Sequence, residues 1–430
     1  MINEDGFQAC IKLGCFFVPG QTQDDYIVFL PAAKSAFGVS VDKIRYIEES
    51  ALAYCSGKEC DRTLKLLFDR SVQGLSLLKE RSKSTCMESV LYISPTLQCN
   101  FNCSYCYSAS GRSKQNIDIS KAKDIISAFI KTRNNNIKLI RIVYIGGGEP
   151  LLNFNAVRQL TDFAKLCAYK QNINILFTII TNGSLLTRDI IEWLNDNDIR
   201  LNISFEILPE EQLKLRGNFK NVMNGINLLK AFPGVCNHTL IRSTITDANV
   251  KCQLRMLQHA KSFMPWITRY SFEPVTDASF LCNGKIARSF LSDFAYEYEK
   301  AKNYSINVNF KLSTSFESHC ERFVDHACSG QFGLTPFCSL TSCGCVTSPN
   351  EPYYASTVLK AEPDNIENFF KSEYQCKAST RKQCDDCYAR YSCAGGCFVQ
   401  NNLYNDEVKQ EICESEKSFL RNFLIKKINR

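Results

Sequence analysis

Three cysteines stand close together in Cys99-Asn-Phe-Asn-Cys103-Ser-Tyr-Cys106-Tyr107, spaced C-x3-C-x2-C. Thiolates this near on one loop can converge on a single metal centre. Three is one fewer than a closed tetrahedral zinc site needs. It is also one fewer than the four cysteines that usually hold a cubane [4Fe–4S] cluster. Spacing alone leaves two readings. A zinc loop would draw its fourth ligand from elsewhere in the chain. A cluster held by three cysteines would keep one iron open to a small molecule, and an open coordination position marks a catalytic site.

Further groups with chemical potential follow apolar runs. Gly146-Gly147-Gly148-Glu149-Pro150 closes one run. Glycines there let backbone approach a ligand, and Glu149 can accept hydrogen bonds from an ammonium group. Thr181-Asn182-Gly183-Ser184 ends the next run with side chains suited to sugar hydroxyls, and Ser204-Phe205-Glu206 ends the one after.

The elements that must carry these groups are legible from residue 88 to about 315. Six apolar strands (SVLYISP, IKLIRIVYIGG, NINILFTIITNG, IRLNISFEIL, HTLIRSTIT and ITRYSFEPV) each precede an amphipathic helical segment. Such alternation implies a parallel sheet with helices outside it. Right-handed crossovers curl that sheet into a barrel, and six units fall short of the eight of a closed one. Chemistry in such folds sits at the C-terminal strand ends, which is where the cysteine loop and the polar groups fall. The predicted fold is α/β: a partial (β/α)6 TIM-like barrel over residues 87–315, a small α+β region over 1–86, and a cysteine-rich domain over 316–430. In the first region DYIVFLPAAKSAFGVSV reads as short strands. KIRYIEESALAYCSG and DRTLKLLFDRSVQGLSLLKE read as helices. This region is either a structural cap or a docking module for an extended peptide.

Bulk properties narrow the function classes. The chain has 430 residues, 45% hydrophobic and 22% charged, enough for one large domain and one or two smaller ones. No apolar run is long enough to span a bilayer, and MINEDGFQACIKLGCFF lacks the basic n-region of a signal peptide. The net charge of +7 is spread thinly, with RSKSTC and LIKKINR the densest basic patches, so nothing argues for nucleic acid. An odd count of 23 cysteines without a secretion signal favours metal binding in a reducing cytoplasm over a disulfide scaffold. Eleven of them fall between residues 320 and 413. Nine others are scattered and read as small buried hydrophobes.

The cysteine spacing after the first strand, the aromatic Tyr105 before the last cysteine and GGEP after the second strand resemble the radical S-adenosylmethionine (radical SAM) superfamily. The resemblance implies that Cys99, Cys103 and Cys106 hold a catalytic [4Fe–4S] cluster whose open iron binds S-adenosyl-L-methionine. Gly147, Gly148 and Glu149 would take the methionine amino group, and Tyr105 would lie near the adenine. Thr181, Asn182 and Ser204 match positions that face the ribose or methionine moiety, and Arg242 would meet the carboxylate. One-electron reduction would release a 5′-deoxyadenosyl radical that abstracts hydrogen from substrate.

The C-terminal block, Cys384-x2-Cys387-x5-Cys393-x3-Cys397 followed by Cys413, is similar to the SPASM domain of peptide-modifying radical SAM maturases. A zinc ribbon fits two C-x2-C pairs but not this spacing. The resemblance implies two auxiliary [4Fe–4S] clusters, three clusters in all. Cys320, Cys328, Cys343 and Cys397 would hold the nearer, and Cys384, Cys387, Cys393 and Cys413 the distal. A second register, with Cys338 in place of Cys343, also parses. Cys338, Cys345 and Cys376 are left over. Sulfatase-maturing relatives carry an aspartate base after this cysteine, where this chain has Gly344. The fourth-strand S-x-D-G common in the family reads Ser204-Phe205-Glu206-Ile207.

The resulting expectation is a cytoplasmic iron–sulfur oxidoreductase that cross-links a ribosomally made precursor peptide through a thioether or carbon–carbon bond. A low-potential donor such as flavodoxin or ferredoxin would reduce it. Two alternatives stay open. One is oxidation of a protein side chain, as in anaerobic sulfatase maturases. The other is a non-catalytic iron–sulfur electron-transfer scaffold, which would not need Tyr105 or the GGE site.

Overall fold

The computed structural model describes residues 4–81, 88–132, 139–275, 289–327, 331–350, 378, 381–397, 401 and 404–429. Cys86, Cys282 and Cys376, and the expected ligand Cys328, lie outside these residues.

The N-terminal region runs α1 (Glu4–Lys12), β1 (Phe16–Pro19), β2 (Asp25–Leu30), β3 (Ser35–Ser40), α2 (Val41–Cys55) and α3 (Arg62–Arg81). The three strands pair antiparallel in the order β1-β2-β3. Strand β2 alternates faces. Val28 and Leu30 join Ala9, Leu13, Ile47, Ala51 and Phe68 in a small core under the helices. Ile27 and Phe29, on the other face, pack with Val18 against Leu420 and Leu424 of the C-terminal helix.

The barrel region alternates β4 (Glu88–Ile93), α4 (Ile119–Thr132), β5 (Leu139–Tyr144), α5 (Phe154–Lys170), β6 (Asn174–Thr181), α6 (Arg188–Asp196) and β7 (Ile199–Ser204). It continues through α7 (Pro209–Leu215), α8 (Phe219–Leu228), α9 (Pro233–His238), β8 (Leu240–Ile245), α10 (Gln253–Phe263), β9 (Arg269–Pro274) and α11 (Phe290–Asn307). All six expected strands form at the expected places, and each pairs parallel with its neighbour. Two of the helices start at side-chain caps. Asp118 accepts from the Ser120 amide at 2.9 Å at the head of α4, and Thr187 accepts from the Ile190 amide ahead of α6. The strands are apolar because both faces are covered, with Leu91, Ile142, Ile179, Leu201 and Ile203 fully buried.

Beyond the sixth unit come β10 (Lys311–Ser313), α12 (Ser315–Cys320), β11 (Gln331–Leu334), β12 (Leu340–Thr341), α13 (Arg390–Cys393) and α14 (Asp406–Ile428). The nine-stranded sheet runs β10-β9-β8-β7-β6-β5-β4-β11-β12. Its two end strands do not meet, so the barrel is partial. Strand β11 lies parallel to β4 and brings the C-terminal region into the barrel's own sheet. None of the described helices is long and apolar enough to cross a membrane.

Candidate active site at the strand ends

The parallel register places the chemically able groups on one rim. Ile93 pairs with Tyr144, Tyr144 with Ile179, Thr181 with Ile203, and Ser204 with Arg242. The cysteine loop, the glycine loop, Thr181-Asn182 and Ser204 therefore leave the sheet side by side.

The glycine loop is docked against the cysteine loop. The Glu149 amide donates to the Gln98 carbonyl at 2.7 Å, and Asn153 Nδ2 donates to the Pro95 carbonyl at 2.9 Å. A Cβ on Gly148 would collide with the Gln98 carbonyl, and one on Gly147 with Leu97 and Thr347. Backbone packing requires glycine at 148, whereas at 147 the Leu97 and Thr347 side chains would have to shift. Glu149 is buried and ties the rim together. It accepts from Thr181 Oγ1 at 2.6 Å, from the Asn182 amide at 2.7 Å and from the Leu151 amide at 3.1 Å. Three of the roughly four lone-pair directions of a carboxylate are thus taken by the chain itself. Burial pushes its pKa up, and the Asn182 and Thr181 hydrogen bonds oppose that. Asn182 Nδ2 in turn donates to Asn100 Oδ1 at 2.8 Å, which ties the cysteine loop to the end of β6.

Tyr105 sits beneath the loop and is buried. Its hydroxyl donates to Glu206 and accepts from Arg216 at 2.8 Å. Arg216 pairs with Glu206 at 3.6 Å, and its guanidinium lies over the Tyr105 ring, 5.7 Å from the centroid. Glu206 also accepts from the Thr244 amide at 3.3 Å and from Asn249 Nδ2 at 3.4 Å. Burial works against the charge on Arg216, but Tyr105, Cys103 and Glu206 together hold it protonated. Burial pushes the Glu206 carboxyl up, and Arg216 opposes it. Sequence reasoning missed Arg216 and Gln212, whose Oε1 accepts from the Glu206 amide. Ser204 is half-buried and Arg242 exposed.

Cys99, Cys103 and Cys106 are half-buried; Cys99 has Cys106 as a neighbour, and Cys103 has both Cys99 and Cys106. Burial raises the Cys99 and Cys103 thiols, while Arg112 favours the thiolate of both and Arg216 that of Cys103. A radical SAM superfamily model matches residues 93–251, the stretch from the end of β4 through β8 and its following turn. Residues 93–251 are a radical SAM domain.

The GTP 3',8-cyclase of Helicobacter pylori is 30% identical over 213 residues, 48% of this chain and 63% of that protein. The matched stretches span 49% and 63% of the length of the first two curated relatives. Two solved structures share the fold more broadly. One is native anSMEcpe with bound AdoMet and Cp18Cys peptide (TM-score 0.61, 17% identity, 80% of this chain and 99% of that one). The other is Streptococcus suis SuiB bound to precursor peptide SuiA (TM-score 0.50, 16% identity, 90% and 95%).

The donor set fits the cluster that a radical SAM domain implies. Among the described residues no three histidine, cysteine or carboxylate side chains converge on a point small enough for one ion. A cubane spaces its thiolates by the width of the cluster, and Cys99, Cys103 and Cys106 share one loop with two guanidinium groups beside it. Downstream, Cys393 has Cys413, Cys387 and Cys384 as neighbours, so the four expected distal cysteines come together. Cys345 has both Cys343 and Cys397 among its neighbours. Cys338 is directed elsewhere, its thiol reaching the Asp118 carbonyl at 3.6 Å. Cys320 closes α12 and donates to the Phe316 carbonyl at 3.3 Å. It lies in the apolar cluster that includes Ala389 and Leu420.

Proposed function

We propose that this chain is a radical SAM enzyme of the SPASM type that modifies a ribosomally made precursor peptide in the cytoplasm. The observation that carries the reading is the meeting of Cys99, Cys103 and Cys106 with the Gly147-Gly148-Glu149 loop at one rim of a partial barrel. When bound there, the cluster and S-adenosyl-L-methionine supply a 5′-deoxyadenosyl radical for hydrogen abstraction. The chain's own part is to hold the rim rigid through Glu149, to keep Tyr105 and Arg216 fixed beneath the cluster loop, and to place the substrate C–H beside the reacting atom.

The peptide substrate is supported by the company the fold keeps, since anSMEcpe and SuiB have both been solved with bound peptides. The product is an intramolecular thioether or carbon–carbon cross-link, with two auxiliary clusters held by the C-terminal cysteines to accept the electron released when that bond closes. Flavodoxin or ferredoxin supplies the first electron. Residues 1–86 form the peptide dock. Side-chain oxidation is the second reading, favoured by the likeness to anSMEcpe and weakened by Gly344 following Cys343.

Reconstituted protein given dithionite and S-adenosylmethionine is expected to form 5′-deoxyadenosine, and Cys103→Ala none. A peptide encoded beside this gene and co-expressed with it is expected to change mass. Equal 5′-deoxyadenosine from wild type and variant would overturn the catalytic reading, and an unchanged peptide mass would overturn the choice of substrate.

A further inference from the structure

The two faces of the barrel strands are covered differently. Alternate residues pack outward on the helices and are buried, among them Ile142 on β5, Leu201 and Ile203 on β7, Ile241 on β8 and Phe272 on β9. The residues between them face the inside of the barrel, where a closed barrel carries layers of branched apolar side chains. On β7 and β8 these inner residues are half-buried or exposed. They also carry charge of one sign. Arg141 on β5, Arg200 on β7, Arg242 on β8, Arg269 on β9 and Lys311 on β10 all take inner positions. They are all the cations of β5–β10, so none lies on the outer face. Glu273 is the one carboxylate on the same strands, and it is already engaged by Ser271 Oγ at 2.8 Å and Ser315 Oγ at 2.7 Å.

The register spaces these cations down the wall. Arg242 lies beside Ser204 and Ser271 at the rim. Arg269 lies in register with Lys311, two residues below Ser271, or about 7 Å along the strand. Arg200 lies in register with Thr178, four residues below Ser204, or about 13 Å. Arg141 is one row further down, and burial and the Arg200 guanidinium both work against its charge. A cleft walled by one sign of charge concentrates ligands of the other sign, and guanidinium forks match carboxylates. A single compact polyanion would need the cations gathered at one level. Cations at successive levels suit carboxylates on an extended chain, whose side chains on one face recur about every 7 Å.

We propose that the barrel receives an acidic stretch of its substrate, with Arg200, Arg269 and Lys311 binding carboxylates about two to four residues from the residue that reacts at the rim. This rests on the reading of the substrate as a peptide. Arg242 is left out, because the family resemblance gives it to the carboxylate of S-adenosylmethionine.

The probe is a fluorescein-labelled peptide of alternating glycine and glutamate, with a glutamine counterpart, read by anisotropy on the reconstituted full chain holding S-adenosylmethionine. The glutamate peptide is expected to bind about tenfold tighter than the glutamine one. Arg200→Met and Arg269→Met are each expected to weaken it about fivefold. Arg200→Lys is expected to keep most of the affinity, and Lys170→Met, at the exposed end of α5, to change nothing. Equal binding of the two peptides, or wild-type affinity in both methionine variants, would overturn the proposal. So would displacement of the probe by GTP at lower concentration than by unlabelled glutamate peptide, which would assign the wall to a nucleotide. No turnover enters the readout. A protein that discriminates between the peptides but makes no 5′-deoxyadenosine would keep this proposal and overturn the radical reading.

Discussion

Arg216 and Glu206 form a buried pair whose removal should be felt strongly. The Glu206 side chain is fully buried and that of Arg216 is 10% exposed. Taking the cation away leaves a carboxylate in the interior beneath the cluster loop, a loss that costs about 3–5 kcal/mol where it has been measured in buried pairs. Arg216→Met is expected to lower unfolding stability by roughly that amount, read by denaturant titration of the apo protein. Arg216→Met with Glu206→Gln is expected to recover part of it, because no net charge is then stranded. A single variant as stable as wild type would mean the pair is solvated. The contrast with the cysteines is instructive. Cys99, Cys103 and Cys106 are legible because their partners lie within one loop. Tyr105 reaches Glu206 across 101 positions and Arg216 across 111. No local spacing encodes that meeting, so the sequence marks Glu206 only as a polar group at a strand end and leaves Arg216 silent. Glu149 shows a related effect. Its place on the rim is legible from the glycines before it, but its bonds to Thr181 and Asn182 exist only once β5 and β6 are in register.

At the scale of elements, the six βα units are legible because each strand is a continuous apolar run and each helix has its own period. Helix α1 and strand β1 are not, since FQACIKLGCFF lacks a turn signal apart from Gly14 and both elements are short. Strands β11 and β12 are equally hard to read, and they matter more, because they deliver the turn of Cys343–Val346 to the barrel. Gly344 fixes that delivery by its contact with Tyr92. Gly344→Ala is expected to lift the turn off the ring and speed amide hydrogen exchange over residues 341–348, with β5–β7 unaffected. Replacing Tyr92 by alanine in the same chain should restore only part of the protection, because the ring goes but the Tyr92 Cβ, 2.5 Å from the added methyl, stays. An exchange pattern identical to wild type in Gly344→Ala would show that the turn is not seated on Tyr92.

Across the whole molecule, α14 is the strut between regions that do not share a core. Phe419 stacks on Phe316, with ring centroids 4.9 Å apart, and faces Phe294 and Tyr298 of α11. The next residue, Leu420, turns the other way with Leu424 onto Val18, Ile27 and Phe29 of the N-terminal sheet. Arg421 adds hydrogen bonds to the carbonyls of Pro19, at 2.9 Å, and Gly20. Helix α14 therefore joins the N-terminal region to the cysteine-rich end of the chain, alongside the direct contact of Phe16 with Tyr391. Leu424 is 1% exposed, and truncating a buried leucine to alanine costs about 2–5 kcal/mol. Because the small N-terminal core is separate from the barrel core, the loss should be local. Leu424→Ala is expected to cut hydrogen-exchange protection in β1 and β2 by at least tenfold while β5–β7 keep theirs, a factor equivalent to about 1.4 kcal/mol. Loss of protection spread evenly over both sheets would mean that the two cores unfold as one and that α14 is not a joint between them.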